Sequence, residues 1–197
     1  MPGPLTLTVA WLEQEFLTEI AILKVDGKLR KDVFDDFSNV YDHSMAVALT
    51  TEVMRRHLNL PRVVTAAGIL HDLKKRFEKR PQDFTPEEVG MLEIARQLMP
   101  EDLRDCTAPL TREVAERNVT FRSRVLELAD MWTLGDKVVG LKARMEGTKA
   151  RWPHLDWDLH MEWGRKLENE IWDALMQQRV VSGEQRLLDW VLSQIRQ

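Results

Sequence analysis

Cysteine is almost missing from this chain. Cys106 is the only one in 197 residues. An internal disulfide and a CxxC metal or redox motif are both excluded. A lone thiol fits a reducing cytosol, with Cys106 a small, partly buried side chain. No apolar run approaches the roughly 20 residues that a bilayer span needs. The opening Met1-Pro2-Gly3-Pro4-Leu5 lacks the basic-then-apolar pattern of a secretory signal. The expectation is a soluble cytoplasmic protein without a membrane partner. No stripe of Lys or Arg appears, the net charge is −4 and the pI is near 5.8. That argues against duplex nucleic acid as a partner, while a small anionic substrate stays possible because a local site can be positive on an acidic protein. Internal repeats, low-complexity segments and alternating strand patterns are also lacking.

What the chain does have is apolar helix pattern. Hydrophobic residues make up 44% of it, enough for one domain with a real core. The expected fold is all-α, a single domain over residues 1–197. Leu12, Phe16, Ile20 and Leu23 recur at helical spacing and predict a helix over 9–23. Residues 24–39 are polar and read as a loop. A second helix is expected over 42–58, stopped by Asn59 and Pro61. Pro61 then opens a third, which carries Val63, Val64, Ala66, Ala67, Gly68, Ile69 and Leu70. Thr85-Pro86-Glu87-Glu88 is a helix start, with a capping Thr, Pro in the first turn and acids at the positive end of the dipole. That helix runs to about Met99. Pro100-Glu101-Asp102 starts another, interrupted by Pro109. Long helices are expected over about 120–145 and 156–178, and Ser182-Gly183-Glu184-Gln185 resembles a capping box for the last one.

The chemistry lies where these apolar helices carry ionisable groups. His43 follows Tyr41-Asp42, and Gly68-Ile69-Leu70 runs into His71-Asp72. Asp130 is surrounded by Val125, Leu128, Ala129 and Trp132. Burying a polar group unpaired costs ~2–7 kcal/mol, so these positions require partners. Imidazole nitrogen and carboxylate oxygen suit Co, Mn, Zn, Mg, Ni or Fe in different proportions. His43, His71, Asp72 and Asp130 would leave positions free on a six-coordinate ion for water and a phosphate. Adjacent residues on a helix point ~100° apart. His71 and Asp72 can therefore share one ion only beside a helix terminus.

The pattern H…HD…D resembles the HD-domain superfamily of metal-dependent phosphohydrolases. His43-Ser44-Met45-Ala46-Val47-Ala48, Leu70-His71-Asp72-Leu73-Lys74-Lys75 and Leu126-Glu127-Leu128-Ala129-Asp130 are similar to its three ligand helices. Within it, Asn39-Val40-Tyr41-Asp42-His43-Ser44 and Pro100-Glu101-Asp102-Leu103-Arg104-Asp105, followed by Ala108-Pro109-Leu110, are similar to segments of the bacterial HD-domain 5′-deoxynucleotidases. Lys137 lies seven residues after Asp130, where that group also has Lys. The likeness spans residues 39–147, which would be the ligand-bearing core, with helices over about 156–196 packed on it. It implies an HD-type helical bundle with one divalent metal on His43, His71, Asp72 and Asp130, and water attack on a nucleotide phosphate. A deoxynucleoside 5′-monophosphate is the first expected substrate. Related phage enzymes remove triphosphate from dATP, which is the alternative. A helical regulatory protein that keeps the metal without turnover is a third. Lys75 stands where the deoxynucleotidases have a Glu, and resembles an HDxxK pattern in which the Lys contacts phosphate.

Asp72 and Lys75 are therefore the candidate catalytic residues, and Lys75, Lys137, Lys74 and Arg30 the candidate substrate contacts. Each has a plainer reading. Basic residues after His71-Asp72 also suit a helix C-terminus, and Arg30 also suits a solvated loop. Lys137 would share a helix face with Asp130, two turns on. Asp42 could orient an imidazole or cap its helix. Glu78 and Asp83 are the acids nearest the His-Asp pair. The chain has seven Trp. Trp152, Trp157, Trp163 and Trp172 crowd the C-terminal part with Met161, Leu167, Ile171 and Leu175, which suggests a packed helix face or a homodimer seam.

Overall fold

The computed structural model describes residues 7–23, 40–73, 85–104, 119–150, 152–181 and 186–195. The fold is an all-α bundle with one small hairpin. Its centre is α3 (Val40–His57), whose residues from Val40 to Met54 are almost all buried, including Glu52. A helix buried on most sides lacks a strong polar face, and its neighbours explain why. It packs against α1 (Val9–Glu15), α4 (Val63–Leu70), α7 (Phe121–Trp132), α10 (Leu187–Gln194) and the hairpin.

Among the described elements, α3 and α4 share the most extensive contact. Asn59 adopts φ 54°, a left-handed turn that Asn tolerates, and the Leu60 amide returns to the Arg55 carbonyl at 2.9 Å. Gly68 makes the approach possible, because a Cβ there would lie 3.2 Å from Ala48 Cα. A buried staple fixes the register. The Glu52 carboxylate accepts bonds from Arg55 Nη2 at 2.6 Å and Nε at 2.7 Å, and from the Thr65 hydroxyl of α4 at 2.6 Å.

The expected helix over 9–23 is interrupted. It divides into α1 and α2 (Leu17–Leu23) at Phe16, which takes φ −119° and ψ 48° and is fully buried. Arg62 lies over the Phe16 ring at 3.9 Å and Arg56 over Trp11 at 4.3 Å, so two guanidiniums clamp this pair of helices onto α3 and α4. Periodicity continued across the break because both short helices bury the same stripe.

The expected helix over 120–145 is also corrected. α7 ends at Trp132 and the chain turns into β1 (Thr133–Leu134) and β2 (Lys137–Val138), paired antiparallel, before α8 (Leu141–Lys149). Gly135 takes φ 61° at the first position of the two-residue turn, and Gly140 takes φ 83° before α8. Both angles lie in the region that glycine enters at little cost. The all-α class stands, with this two-residue-per-strand hairpin as the only sheet among the described residues.

Other boundaries follow local chemistry. α5 (Pro86–Leu98) begins on its proline and α6 (Glu101–Arg104) directly after Pro100. Thr120 caps α7 by accepting from the Ser123 amide, and Asp156 caps α9 (Trp157–Gln177) by accepting from the Leu159 amide at 2.9 Å. α9 lies on α7 through Trp163, Leu167, Ile171 and Leu175. Two reciprocal bonds lock them. Trp163 Nε1 donates to Glu127 and Trp132 Nε1 to Glu168, both at 2.8 Å. Within the crowded Trp segment, Trp163 thus belongs to a packing face. Leu7 and Ile195 form a parallel bridge that joins the two ends of the described chain.

Candidate metal centre

Three helices and one turn deliver the site. His43 stands in the first turn of α3, His71 and Asp72 in the turn that follows Leu70 at the end of α4, and Asp130 in the last turn of α7. The helix terminus at Leu70 is what lets two adjacent side chains reach one point, as the spacing required.

His43 Nε2 lies 3.1 Å from Asp130 Oδ1 and 3.7 Å from Asp72 Oδ2. His71 Nε2 lies 3.3 Å from Asp72 Oδ1 and 3.6 Å from Asp130 Oδ1. The rings of His43 and His71 are 5.4 Å apart. One atom each from His43, His71 and Asp72 falls within a mutual 4.8 Å, close enough to hold a metal ion. Ligands about 2.1 Å from a common octahedral ion stand about 3.0 Å apart when adjacent and about 4.2 Å when opposite. All four distances fall in that interval.

The other ring nitrogens decide what the site offers. His43 Nδ1 is 2.8 Å from the Gly135 carbonyl, and His71 Nδ1 is 2.8 Å from the Gly68 carbonyl. A carbonyl only accepts, so each Nδ1 carries the proton and donates. In the neutral ring, Nε2 then presents its lone pair to the centre. Backbone carbonyls are common partners for metal-binding imidazoles because they fix both tautomer and orientation. The Gly68 bond also satisfies a carbonyl in the last turn of α4, which has no following helical amide.

The centre thus gathers ring nitrogens and carboxylate oxygens. His43 Nε2 stands 3.1 Å from Asp130 Oδ1, a contact that either a proton on Nε2 or a cation between the two would make favourable. The donor set of His43, His71 and Asp72 could hold a metal ion, and Asp130 Oδ1 stands beside both imidazoles. Asp72 is enclosed, with 3% of its side chain exposed, whereas Asp130 is 16% exposed. The approach from solvent is therefore over Asp130.

Glu127 lies one turn before Asp130 and is buried. Burial pushes its carboxyl up to about 7; the negative charge of Asp130 adds to this, while the bond from Trp163 and the charge of Arg124 oppose it. Glu127 was not singled out in the sequence, where a Glu one turn before an Asp carries no distinctive signal. The Gly68 and Gly135 carbonyls were missed as well, although Gly135-Asp136 is a recognisable turn pair.

Lys137 lies on β2, exposed, and not on a helix with Asp130. It lines a surface cavity of about 480 Å³ together with Asp42, Asp136 and Met45. Lys74, Lys75, Arg76, Arg30, Glu78, Asp83 and Cys106, the 24–39 loop, Pro109 and the capping box at 182–185 lie outside the described residues. No helix among the described residues is long and apolar enough to cross a membrane.

Comparison of the chain with protein-family models, with curated proteins and with solved structures finds no match in any of the three.

Proposed function

We propose that this chain is a metal-dependent phosphohydrolase of the HD type that acts on deoxynucleotides. The preferred reaction is hydrolysis of deoxynucleoside 5′-monophosphates to nucleoside and phosphate. The observation that carries the reading is the convergence of His43, His71, Asp72 and Asp130, with both imidazoles turned inward by backbone carbonyls. The nucleotide part rests on the likeness of residues 39–147 to the deoxynucleotidases.

A divalent ion bound here would lower the pKa of a water and offset charge on phosphoryl oxygens. The protein's own residues do the rest. The Gly135 and Gly68 carbonyls hold the two imidazoles in one tautomer. Asp72, enclosed, stays in place, while Asp130 borders the solvent side from which a phosphate would enter. Lys75 is the side chain proposed to offset phosphate charge, with Lys74, Lys137 and Arg30 as further contacts. The nucleotide is the small-molecule partner.

Metal analysis of protein purified without chelator is the first test, followed by a panel of deoxynucleotides with Co, Mn, Zn, Mg, Ni and Fe supplied separately. Orthophosphate from monophosphates supports the proposal. Triphosphate from dATP moves the same site to the alternative reaction. Bound metal without turnover of any nucleotide would sink the enzymatic reading and leave a metal-binding regulatory protein. His71→Ala and Asp130→Ala are expected to lose metal and activity while retaining helical circular dichroism. A ligand at 100 times its Kd stabilises the fold by ~2.7 kcal/mol. Metal should therefore raise the melting temperature of the wild type and leave His71→Ala unmoved.

A further inference from the structure

A second site lies away from the His/Asp centre. A cavity of about 710 Å³ opens between α8, α9 and the start of α10, within the ~300–1,000 Å³ typical of small-molecule pockets. One face of α9 supplies Arg165, Glu168 and Trp172 at helical spacing. Arg186 enters from the start of α10 and Lys142 from α8.

Charge in this cavity is unevenly matched. Arg165, Arg186 and Lys142 face two carboxylates, Glu168 and Glu146. Glu146 stands 3.9 Å from Lys142. Glu168 already accepts from Trp132 at 2.8 Å. Both guanidiniums act on Glu168 through space, but among the described residues neither makes an ion pair or a hydrogen bond with it. Two exposed guanidiniums that line this cavity with one carboxylate, itself engaged elsewhere, leave planar donor edges unused. Arginine forks match phosphate oxygens well. The half-buried Trp172 ring stands on the same helix face, two turns from Arg165, and a planar ring system stacks on an indole.

We infer that this cavity binds a nucleoside phosphate, its phosphate held by Arg165 and Arg186 and its base stacked on Trp172. The site is independent of the metal centre. Its ligand is bound and not turned over there, because no nucleophile or metal-ligating cluster lines the cavity among the described residues.

The test uses the full chain carrying His71→Ala, which disables the metal centre and prevents hydrolysis of the probe. Adenosine 5′-monophosphate, ribose 5-phosphate and inorganic phosphate are titrated by calorimetry. Adenosine 5′-monophosphate is expected to bind. Adding Arg165→Gln and Arg186→Gln should weaken it by about tenfold or more, since each charge-assisted bond is worth that much. Trp172→Leu should weaken it by roughly tenfold, the value of one stacked base, and leave ribose 5-phosphate unchanged. Arg165 is exposed, so Arg165→Gln alone carries the test should the double variant lose its circular dichroism. Absence of binding to the folded His71→Ala chain at millimolar probe would overturn the inference. So would binding that ignores the arginine variants. Loss of catalysis in His71→Ala bears on the metal reading alone.

Discussion

Glu127→Gln should stabilise this protein, and only at high pH. The wild-type carboxyl is buried, 6% exposed, and its pKa is raised from 4.5 to about 7, chiefly by burial. In the unfolded chain it ionises near 4.5. Between 4.5 and 7 the folded state therefore holds a proton that the unfolded state has released. Stability falls as pH rises through that window, and the penalty is complete above 7. At ~1.4 kcal/mol for each pH unit, the window amounts to about 3 kcal/mol at most. Glutamine keeps the oxygen that accepts from Trp163 and carries N–H donors where the protonated acid has O–H. It mimics the protonated state at every pH. Urea denaturation with chelator present, followed at 222 nm, should show the two proteins close in stability at pH 4.5 and the variant ahead by up to about 3 kcal/mol at pH 8. Other titrating groups are common to both proteins and cancel in the difference. Parallel pH profiles for wild type and variant would refute the argument that burial governs this carboxyl.

Two further predictions concern the geometry that positions the site. Gly68→Ala would place a Cβ 3.2 Å from Ala48 Cα and 3.4 Å from Thr51 Oγ1; crowding of ~1–3 kcal/mol is opposed by a helix-propensity gain of ~1 kcal/mol. Stability should change by less than about 2 kcal/mol, while affinity for Co or Zn, read by calorimetry, falls because the end of α4 carries His71; unchanged affinity would mean that the α3–α4 distance does not set the site. Asp102 accepts from Arg122 at 2.5 Å and 2.7 Å and from Thr120 and Ser123, and the Arg122 bonds hold its pKa down to about 2. That contribution is present above the ordinary carboxyl pKa and is lost as pH falls toward 2. Asp102→Asn should then cost about 1–2 kcal/mol at pH 7, discounted for partial exposure, and nothing near pH 2; a cost that persists there would rule out the charge as its source.

Much of the helical framework was legible because its signals are local. α3, α5 and α9 begin and end within two residues of the expected points, where Asn59, Pro86 and Asp156 act on their own neighbours. The two errors share a cause. Phe16 breaks one helix and another ends at Trp132, before the Gly135 turn, yet in both places the apolar pattern runs on. Periodicity reports which residues are buried, and it is blind to a backbone that leaves the helix while still burying them. At the site, the four ionisable side chains stood out because each interrupts or directly follows an apolar helical pattern. Which ring nitrogen faces the centre could not be read, since that depends on two carbonyls whose owners, Gly68 and Gly135, have no side chain to mark them.

Those carbonyls also bear on which cation the centre suits. With each Nδ1–H committed to the backbone, the two imidazoles are neutral when each Nε2 is bare, and the site's charge is that of Asp72 and Asp130. Two carboxylates with side chains 3% and 16% exposed cost several kcal/mol each to desolvate. Protons on the carboxylates or on Nε2 could also offset that cost, each occupying one of the inward atoms. A single divalent ion would offset both charges with neither ring protonated. Deleting one carboxylate breaks this match more severely than deleting an imidazole, because it leaves the ion half-neutralised in a buried place. Asp72→Asn should therefore lose more metal affinity than His43→Gln, measured by competition with a chromogenic chelator, and the reverse order would mean that charge is not what holds the ion.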